Sequence, residues 1–386
     1  MTVRHLILQP SEPAQPRAAG SALFALGFRP LYLLAGAFAA LSVPLWALQY
    51  AGWLPGANPL WHAHEMLFGY AFAVIAGFLL TAVRAWTGRP TPTGAALAGI
   101  AALWLAARIL GLFSLPAAAL VDALFALAVA WGIGRPIYAS RNRNWYFIFF
   151  VLALGAASIT FAAADPRVAL AVGLDVVLFV VAVMGGRVIP AFTNSAVQGA
   201  RARRNRWVEY GSLGSVLLLI FLDVLQWQLA ASALCLVAAG LHAARVALWA
   251  PLATRGRPIL WILHLSYAWV AVHLALRGLA GLDLVSPALA THALTVGVIG
   301  GLTLGMMTRT SRGHTARPLK VGSWEIAAYV LVHAAAIVRV LFPLLLPGAY
   351  VALVQLSAAL WFAAFAVFAV VYYPILSRPR LDGQPG

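Results

Sequence analysis

Residues 61–83 read WHAHEMLFGYAFAVIAGFLLTAV, and after Glu65 they carry no charged side chain until Arg84 is reached. A stretch of this length and apolarity crosses the hydrocarbon core of a bilayer as one helix. The whole chain has the same character, since 63% of its 386 residues are hydrophobic and only 9% are charged. The stretch therefore predicts a helical membrane protein, and it raises the question of why two histidines and a glutamate begin a spanning segment.

Twelve spanning helices are predicted from the apolar stretches and from the prolines and glycines that separate them. They lie near residues 30–50, 62–83, 93–113, 115–134, 145–164, 167–190, 208–225, 227–249, 258–278, 286–308, 322–346 and 349–372. The polar, Pro- and Ala-rich first 20 residues are typical of a tail rather than a signal peptide. The predicted fold is all-α, a polytopic membrane helix bundle. We expect a lead-in at 1–29, one transmembrane domain at 30–372 and a tail at 373–386.

The basic residues indicate how this bundle is oriented. All but four of the 26 Lys and Arg residues lie in the two tails or near connections that follow even-numbered spans. The positive-inside rule assigns that face to the cytoplasm, so both termini are predicted to be cytoplasmic. The formal net charge of +16 is then a topology signal, and we expect lipid rather than nucleic acid as a partner. The four exceptions are Arg108, Arg167, Arg277 and Arg339.

Four histidines are expected near the outer face. The second and tenth spans both run from outside to inside, so His62 and His64 lie at an outer end and His292 lies about 9 Å below it. His273 stands near the outer end of the ninth span. Ionisable residues inside a membrane mark functional sites by default, although a lone intramembrane histidine such as His273 is more often structural. We therefore predict a site at His62, His64 and His292.

Helix geometry separates the two histidines of the WHAHE stretch. Residues at i and i+2 point about 200° apart, so His62 and His64 face opposite sides and do not chelate one ion together. Glu65 and Met66 follow His62 by three and four residues. We expect both on the His62 side, Glu65 as a hydrogen-bonding or catalytic group and Met66 as a soft ligand. The stretch is therefore predicted to lie between two separate sites, with one histidine facing each of them.

A second group of polar residues is expected near the inner face. His264 lies about 9 Å from that face in the ninth span, and His314 follows the tenth span. Arg187 and Arg309 end the sixth and tenth spans and either anchor the helix ends in the head-group layer or pair with haem propionates. The two layers are ~15–20 Å apart, so one mononuclear metal site cannot use both.

The available ligands favour haem or copper over other cofactors. Neutral imidazole is a natural ligand for both metals. The chain contains no CxxCH, so a haem is expected to be non-covalent, and its single cysteine, Cys235, excludes an iron–sulfur cluster. No phosphate-binding loop, dinucleotide fingerprint or nucleophile elbow is present, which makes ATP and NAD improbable ligands.

Several motifs, in order along nearly the whole chain, resemble the NnrS family. They are WHAHEMLFGY, GFLLTAV, WTG, GGRVIPAFT, WILHLSYAW, HALTVGVIGGLTLGMMTRTSRGHTARPL, LSAALWFAAF and YYPIL. That family comprises twelve-span proteins of the bacterial inner membrane that are associated with nitric oxide metabolism and nitrosative stress. The resemblance implies a b-type haem, copper, and a role in handling nitric oxide.

The family motifs carry the same residues that the depth argument selects. The matching positions are His62, His64, Glu65, Arg187, His264, His292, Arg309 and His314. Two departures lie at the inner rim, where family members usually read TAVPNWTG and RVSLGHTGR and this chain reads TAVRAWTG (81–88) and RTSRGHTAR (309–317). Both departures lie at the inner rim, away from the outer histidines.

Three functions are open on the sequence alone. The favoured one is an oxidoreductase that reduces nitric oxide with electrons from quinol, with metal ligands at His62, His64 and His292 and with Glu65 supplying protons or orienting a ligand. In that hypothesis His264 and His314 form an inner metal or quinol site. The second is a haem protein that binds or senses nitric oxide without turnover. The third is a transporter of metal or haem with histidines as transient ligands.

Overall fold

The predicted helical bundle is present in the structure. A computed structural model describes residues 21–56 and 58–384, which are 80% helical and contain no strand. Within them, twelve helices are long and apolar enough to cross a membrane. We number them α1 to α12: Phe28–Tyr50, Pro59–Thr87, Gly94–Gly111, Leu115–Ala139, Tyr146–Ala163, Pro166–Ala196, Arg206–Val224, Gln228–Leu248, Pro258–Ala280, Pro287–His314, Ser323–Leu345 and Pro347–Ser377.

The twelve spans agree in number and order with the sequence-based prediction. Several are longer than predicted at their inner ends, notably α2 and α10, which continue to Thr87 and His314. Most of the predicted lead-in, residues 1–20, lies outside the described residues. An even number of spans brings both ends of the bundle to one face, and the arginine-rich connections make this the inner face.

Neighbouring helices pack in chain order, and α1 closes the bundle by packing along α12. Helix α2 is the most deeply buried span, with 78% of its apolar window inside the protein, and α9 and α10 follow at 67%. The helix that carries the WHAHE stretch is therefore surrounded by protein rather than by lipid. Its polar side chains are held in a protein interior, where each needs a partner or a ligand.

Helices α2 and α10 begin in the same unusual way. Each starts with a proline whose preceding side chain caps the helix, Asn58 before Pro59 and Ser286 before Pro287. Each then runs for six α-helical residues, PLWHAH and PALATH, and changes to a π-helical segment at Glu65–Ala71 or Ala293–Gly300. Such segments are rare and are frequent at functional sites. The outer histidines stand just before them.

The two glycines of the GGRVIPAFT motif make room for a buried ion pair. Arg245 lies against Gly186 and bonds to Glu209, at 2.7 Å between Nη2 and Oε2, and to the hydroxyl of Tyr267 at 2.5 Å. Gly185 faces the ring of the same tyrosine. Arg245 is almost fully buried, so its charge depends on these partners. The motif's conformation is therefore explained by packing between α6, α7, α8 and α9.

Replacing Gly186 with alanine is expected to lower the free energy of unfolding by about 1–3 kcal/mol, because the new Cβ would overlap the Arg245 guanidinium. The measurement is the thermal unfolding midpoint of the purified, detergent-solubilised protein. Gly214→Ala in α7 is the matched control, since no atom lies within 4 Å of its added Cβ. Equal midpoints for the two variants would contradict this account of the motif.

Candidate functional site

A cavity of about 670 Å³ lies between the outer ends of α1, α2, α6, α9, α10, α11 and α12. Its rim is formed by exposed residues such as Pro59, Arg167 and Pro287, so the cavity reaches the outer surface. Its walls are mostly apolar and aromatic. A volume of this size and character is typical of sites for organic ligands and cofactors.

Three histidines line this cavity: His62, His273 and His292. The Nδ1 atoms of His273 and His292 point to backbone carbonyl groups, at 2.8 Å from Ala290 and 2.7 Å from Ala288. A neutral imidazole that donates through Nδ1 keeps the lone pair of Nε2 for a ligand, which is how metal-binding histidines are commonly held. The Nε2 of His273 is buried and has no hydrogen-bond partner among the described residues.

His62 is held differently, by an aromatic contact. Its ring stacks on Trp46 with 4.2 Å between centroids, and its Nδ1 is buried without a hydrogen-bond partner in the described part of the chain. Met66, one helical turn on, also lines the cavity. The expectation that Met66 shares the His62 side is therefore confirmed.

Basic side chains line the same cavity, and one of them, Arg277, is paired with Asp175 at 2.6 Å and with Asp223 at 2.5 Å. Arg167, Arg277 and Arg339 all line it, and these are three of the four basic residues that departed from the inside-positive pattern. Arg339 acts electrostatically on both His62 and His292. Its Nη2 bonds to the Tyr350 hydroxyl at 3.0 Å, whereas its buried Nη1 has no partner among the described residues. An unpaired buried guanidinium nitrogen is costly and is suited to an anionic ligand.

His64 lies on the other side of α2, in a fully buried polar cluster. Its Nδ1 is 3.0 Å from Oε1 of Glu65, and its Nε2 is 3.0 Å from the hydroxyl of Ser158. Arg108 bonds to Glu65 at 2.6 Å and to Asp122, and Ser158 bonds to Asp122 at 3.3 Å. We call these five residues the α2 cluster. Both ring nitrogens of His64 are engaged in it, so neither is free for a metal.

The prediction that His62 and His64 face opposite sides is confirmed, because one lines the cavity and the other lies in the α2 cluster. The prediction that Glu65 stands on the His62 side is wrong. By helix geometry Glu65 lies between the two directions, and the guanidinium of Arg108 draws its carboxylate away from the cavity. Arg108 is the fourth basic residue that departs from the inside-positive pattern. Its ion pairs with Glu65 and Asp122 explain why an arginine is found inside the membrane at that position.

The inner residues do not gather into one site. His264 is buried, with its Nδ1 3.1 Å from the Leu260 carbonyl oxygen and its Nε2 3.3 Å from both the Thr193 hydroxyl and the Trp249 carbonyl oxygen. The ring of His314 packs on Phe28, at 5.7 Å between centroids. The two histidines share none of these partners. Their assignment as ligands stays a prediction.

The two inner arginines lie apart from the outer cavity. Arg187 is exposed and bonds to Asn144 at 2.8 Å and to the Tyr146 hydroxyl at 2.6 Å. Arg309 stacks on the Phe192 ring, with its guanidinium carbon 3.8 Å from the centroid. Neither lines the cavity. Among the described residues, no three His, Cys, Asp or Glu side chains are grouped to hold a metal ion.

The sequence of the chain matches the model of a known protein family. The family model described as NnrS protein covers residues 22–380. The chain belongs to the NnrS family. Membership suggests involvement in the response to nitric oxide, and the twelve spans make this NnrS-family chain a multi-pass membrane protein. No curated protein matches the chain.

Sequence reasoning found the histidines of this NnrS-family site but missed their basic neighbours. The arginine pattern puts Arg339 and Arg277 at the outer face, which gives their depth but not the side chains that they meet. Asp122 is one of several acids inside the spans, and nothing in the sequence distinguishes it or Ser158 as part of a site. Ser158 lies 94 residues from His64, and Asp122 lies 14 residues from Arg108, on the next helix.

Proposed function

We propose that the outer cavity binds a non-covalent b-type haem and that the protein reduces nitric oxide there. The observation that carries this proposal is the convergence of three imidazole rings on one cavity, each with a ring nitrogen that no described residue engages. Imidazole is the commonest protein ligand of haem iron in such settings. The family's association with nitric oxide supplies the substrate.

The cavity fits a haem on three counts. Its volume lies in the range of cofactor sites, and its walls are largely apolar, as a porphyrin requires. The orphaned Nη1 of Arg339 offers a charge-assisted hydrogen bond to a propionate near the outer face. We therefore assign propionate pairing to Arg339 in place of Arg187 and Arg309.

The ligand roles follow from the helices that carry the histidines. His62 on α2 and His292 on α10 are the residues that would hold the haem, with His273 on α9 as a third imidazole for a second metal. Copper remains part of the proposal, and Met66 beside His62 is a suitable soft ligand for it. Glu65 acts at a distance, by fixing the start of α2 through Arg108.

The reaction needs electrons and protons besides the ligand site. Two nitric oxide molecules, two electrons and two protons give nitrous oxide and water. A bound haem supplies a one-electron centre with an affinity for nitric oxide. The chain's own residues would hold and orient that centre. We propose quinol in the bacterial inner membrane as the electron donor.

The test uses protein purified from membranes in detergent. We expect a Soret band with one haem or more per chain, and consumption of nitric oxide at an electrode when quinol is added. Haem without consumption would reduce the proposal to nitric oxide binding or sensing. Protein that neither retains nor takes up haem would refute it and would favour the transporter hypothesis. Metal analysis of the same sample tests for copper.

A further inference from the structure

A second pocket lies at the inner face, between the connection that joins α2 to α3 and the inner half of α4. Its volume is about 460 Å³, and residues 89–92 of the connection form one of its sides. The opposite side is a single face of α4, because Trp131, Arg135 and Ala139 follow one another at intervals of four residues. We call this the inner pocket. It shares no lining residue with the outer cavity.

Close packing holds the connection against α4. A Cβ atom added to Gly132 of α4 would lie 2.8 Å from Cγ of Pro92 and 3.1 Å from Cδ2 of Leu80, so glycine permits this approach. Pro90 and Pro92 also restrict the backbone of the connection, since each fixes one of its torsion angles. The inner pocket therefore has a wall whose position is set by packing.

Two arginines bring positive charge to the inner pocket. Arg89 and Arg135 line it, their side chains are exposed, and neither forms an ion pair with an acid in the described part of the chain. The guanidinium carbon of Arg135 lies 5.5 Å from the centroid of the Trp131 ring. Arg312, also near the inner face, is instead paired with Glu325 at 2.7 Å. The charges of Arg89 and Arg135 are thus available to an anion.

The inner pocket also contains a polar group without a partner. Thr91 lines it and is only 5% exposed, and its hydroxyl oxygen has no hydrogen-bond partner among the described residues. The first turn of α3 lies beside it through Ala96, and Thr93 at the N-cap forms no side-chain capping bond. A buried hydroxyl without a partner is costly, and the start of a helix favours negative charge. Both features indicate that an anion's oxygen atoms complete the site.

The position of Trp131 indicates that this anion belongs to a lipid. Its side chain is 68% exposed and lies about 12 Å along α4 from Ala139, the last residue of the helix. An exposed indole at that depth is typical of the aromatic belt, where one side meets acyl chains and the other meets head groups. Arg135 is one turn nearer to the end of the helix. The α4 face of the pocket is therefore apolar towards the hydrocarbon and basic towards the head-group layer.

We propose that the inner pocket binds the phosphate group of an anionic phospholipid of the inner leaflet. Arg89 and Arg135 pair with the phosphate through charge-assisted hydrogen bonds, and the hydroxyl of Thr91 donates another. Trp131 packs against the glycerol and the upper part of the acyl chains. Basic pockets between helices on the cytoplasmic side are suited to anionic head groups. The inference does not depend on haem or on nitric oxide.

The simpler interpretation is that Arg89 and Arg135 only anchor helix ends in the head-group layer, as basic residues near membrane surfaces commonly do. It accounts for their exposure and for the face on which they stand. It does not account for the hydroxyl of Thr91, which is buried without a partner where valine would fill the same space at lower cost. The location of that hydroxyl in a pocket with two unpaired arginines favours a bound phosphate.

The experiment counts the lipids bound to the full-length protein by native mass spectrometry. Delipidated protein in detergent is titrated with dioleoylphosphatidylglycerol and, separately, with dioleoylphosphatidylcholine, which has the same acyl chains and no net charge. We expect one phosphatidylglycerol to bind at least tenfold more tightly than phosphatidylcholine. We expect the double variant Arg89→Gln/Arg135→Gln to weaken that binding at least tenfold, because two charges near the lipid surface are lost. Thr91→Val is expected to weaken it about threefold or more.

Matched controls remove the same chemical groups elsewhere on the inner face. The double variant Arg255→Gln/Arg257→Gln loses two exposed arginines of the connection before α9, outside the inner pocket. Thr93→Val removes an exposed hydroxyl that does not line the pocket. Both controls are expected to bind phosphatidylglycerol as the wild type does. Elution profiles of all variants establish that they are folded.

Each outcome supports or overturns the inference. Equal binding of the two lipids, an unchanged affinity in Arg89→Gln/Arg135→Gln, or an equal loss in the control pair would overturn it. Displacement of phosphatidylglycerol by millimolar ammonium phosphate would indicate a soluble phosphate ligand and would overturn the assignment to a lipid. A haem-free protein that binds phosphatidylglycerol as expected would support this inference while refuting the proposed function.

Discussion

The His292→Ala protein is expected to lose its haem. Under the proposed function His292 would hold the haem, and removal of partners that only support a ligand already costs 10- to 100-fold in metal affinity. We therefore expect haem affinity to fall by about 100-fold or more. The Nδ1 of His292 is fixed by the Ala288 carbonyl, so the ring has one defined direction and no neighbouring histidine in α10 replaces it. The measurement is a titration of haem into the purified protein, followed at the Soret band.

Two histidine variants make this prediction specific. His62→Ala is expected to have an effect of similar size, because His62 lines the same cavity from α2. His333→Ala is the control, since His333 is a buried histidine that does not line the cavity and whose Nε2 lies 3.4 Å from the Ser266 hydroxyl. Unchanged haem affinity in both cavity variants would remove the outer cavity as the haem site. An equal loss in His333→Ala would indicate general misfolding instead.

The Arg108→Met substitution is expected to cause the largest loss of stability. Arg108 is buried and is the cation that pairs with both Glu65 and Asp122. Methionine keeps much of the apolar volume but leaves two carboxyl groups in the interior of the α2 cluster without that cation. Removing one partner from a buried ion pair costs about 3–5 kcal/mol. We expect a much lower yield from membranes and a lower thermal midpoint of the purified protein.

Compensating variants test whether charge is the cause. Adding Glu65→Gln and Asp122→Asn to Arg108→Met neutralises the cluster and is expected to restore most of the lost stability. Arg167→Met is the matched control, since Arg167 is exposed at the rim of the cavity. A triple variant no more stable than Arg108→Met would show that packing or geometry, rather than unpaired charge, is responsible.

The fold of this protein was predictable because lipid imposes simple rules. Apolar length and the side on which arginines stand depend on local sequence alone, so twelve spans and their direction followed without tertiary information. The same rules gave histidines a depth, and the turn angle of a helix placed His62 and His64 on opposite sides. Each of these inferences requires only the geometry of a single helix that crosses a membrane.

The partners of these residues were not predictable, because they depend on how helices meet. Glu65 was expected beside His62, but Arg108, 43 residues away, holds its carboxylate. Arg339 was missed because nothing in its own helix shows that α2 and α10 bring His62 and His292 towards it. The π-helical segments were missed for a related reason, since no composition marks the extra residue that produces them.

The two π-helical segments set how the outer end of α2 or α10 is rotated relative to the inner half of the same helix. A π turn accommodates more residues than an α turn, and each α-helical residue turns the chain by about 100°. Deleting one residue within Glu65–Ala71 or Ala293–Gly300 would therefore swing the outer hexapeptide about the helix axis while the inner half stayed packed. The direction in which each histidine side chain points is thus independent of the packing of the inner half of its helix. We expect related proteins to have insertions and deletions in these two segments, and these would change the direction of the histidines that line the cavity.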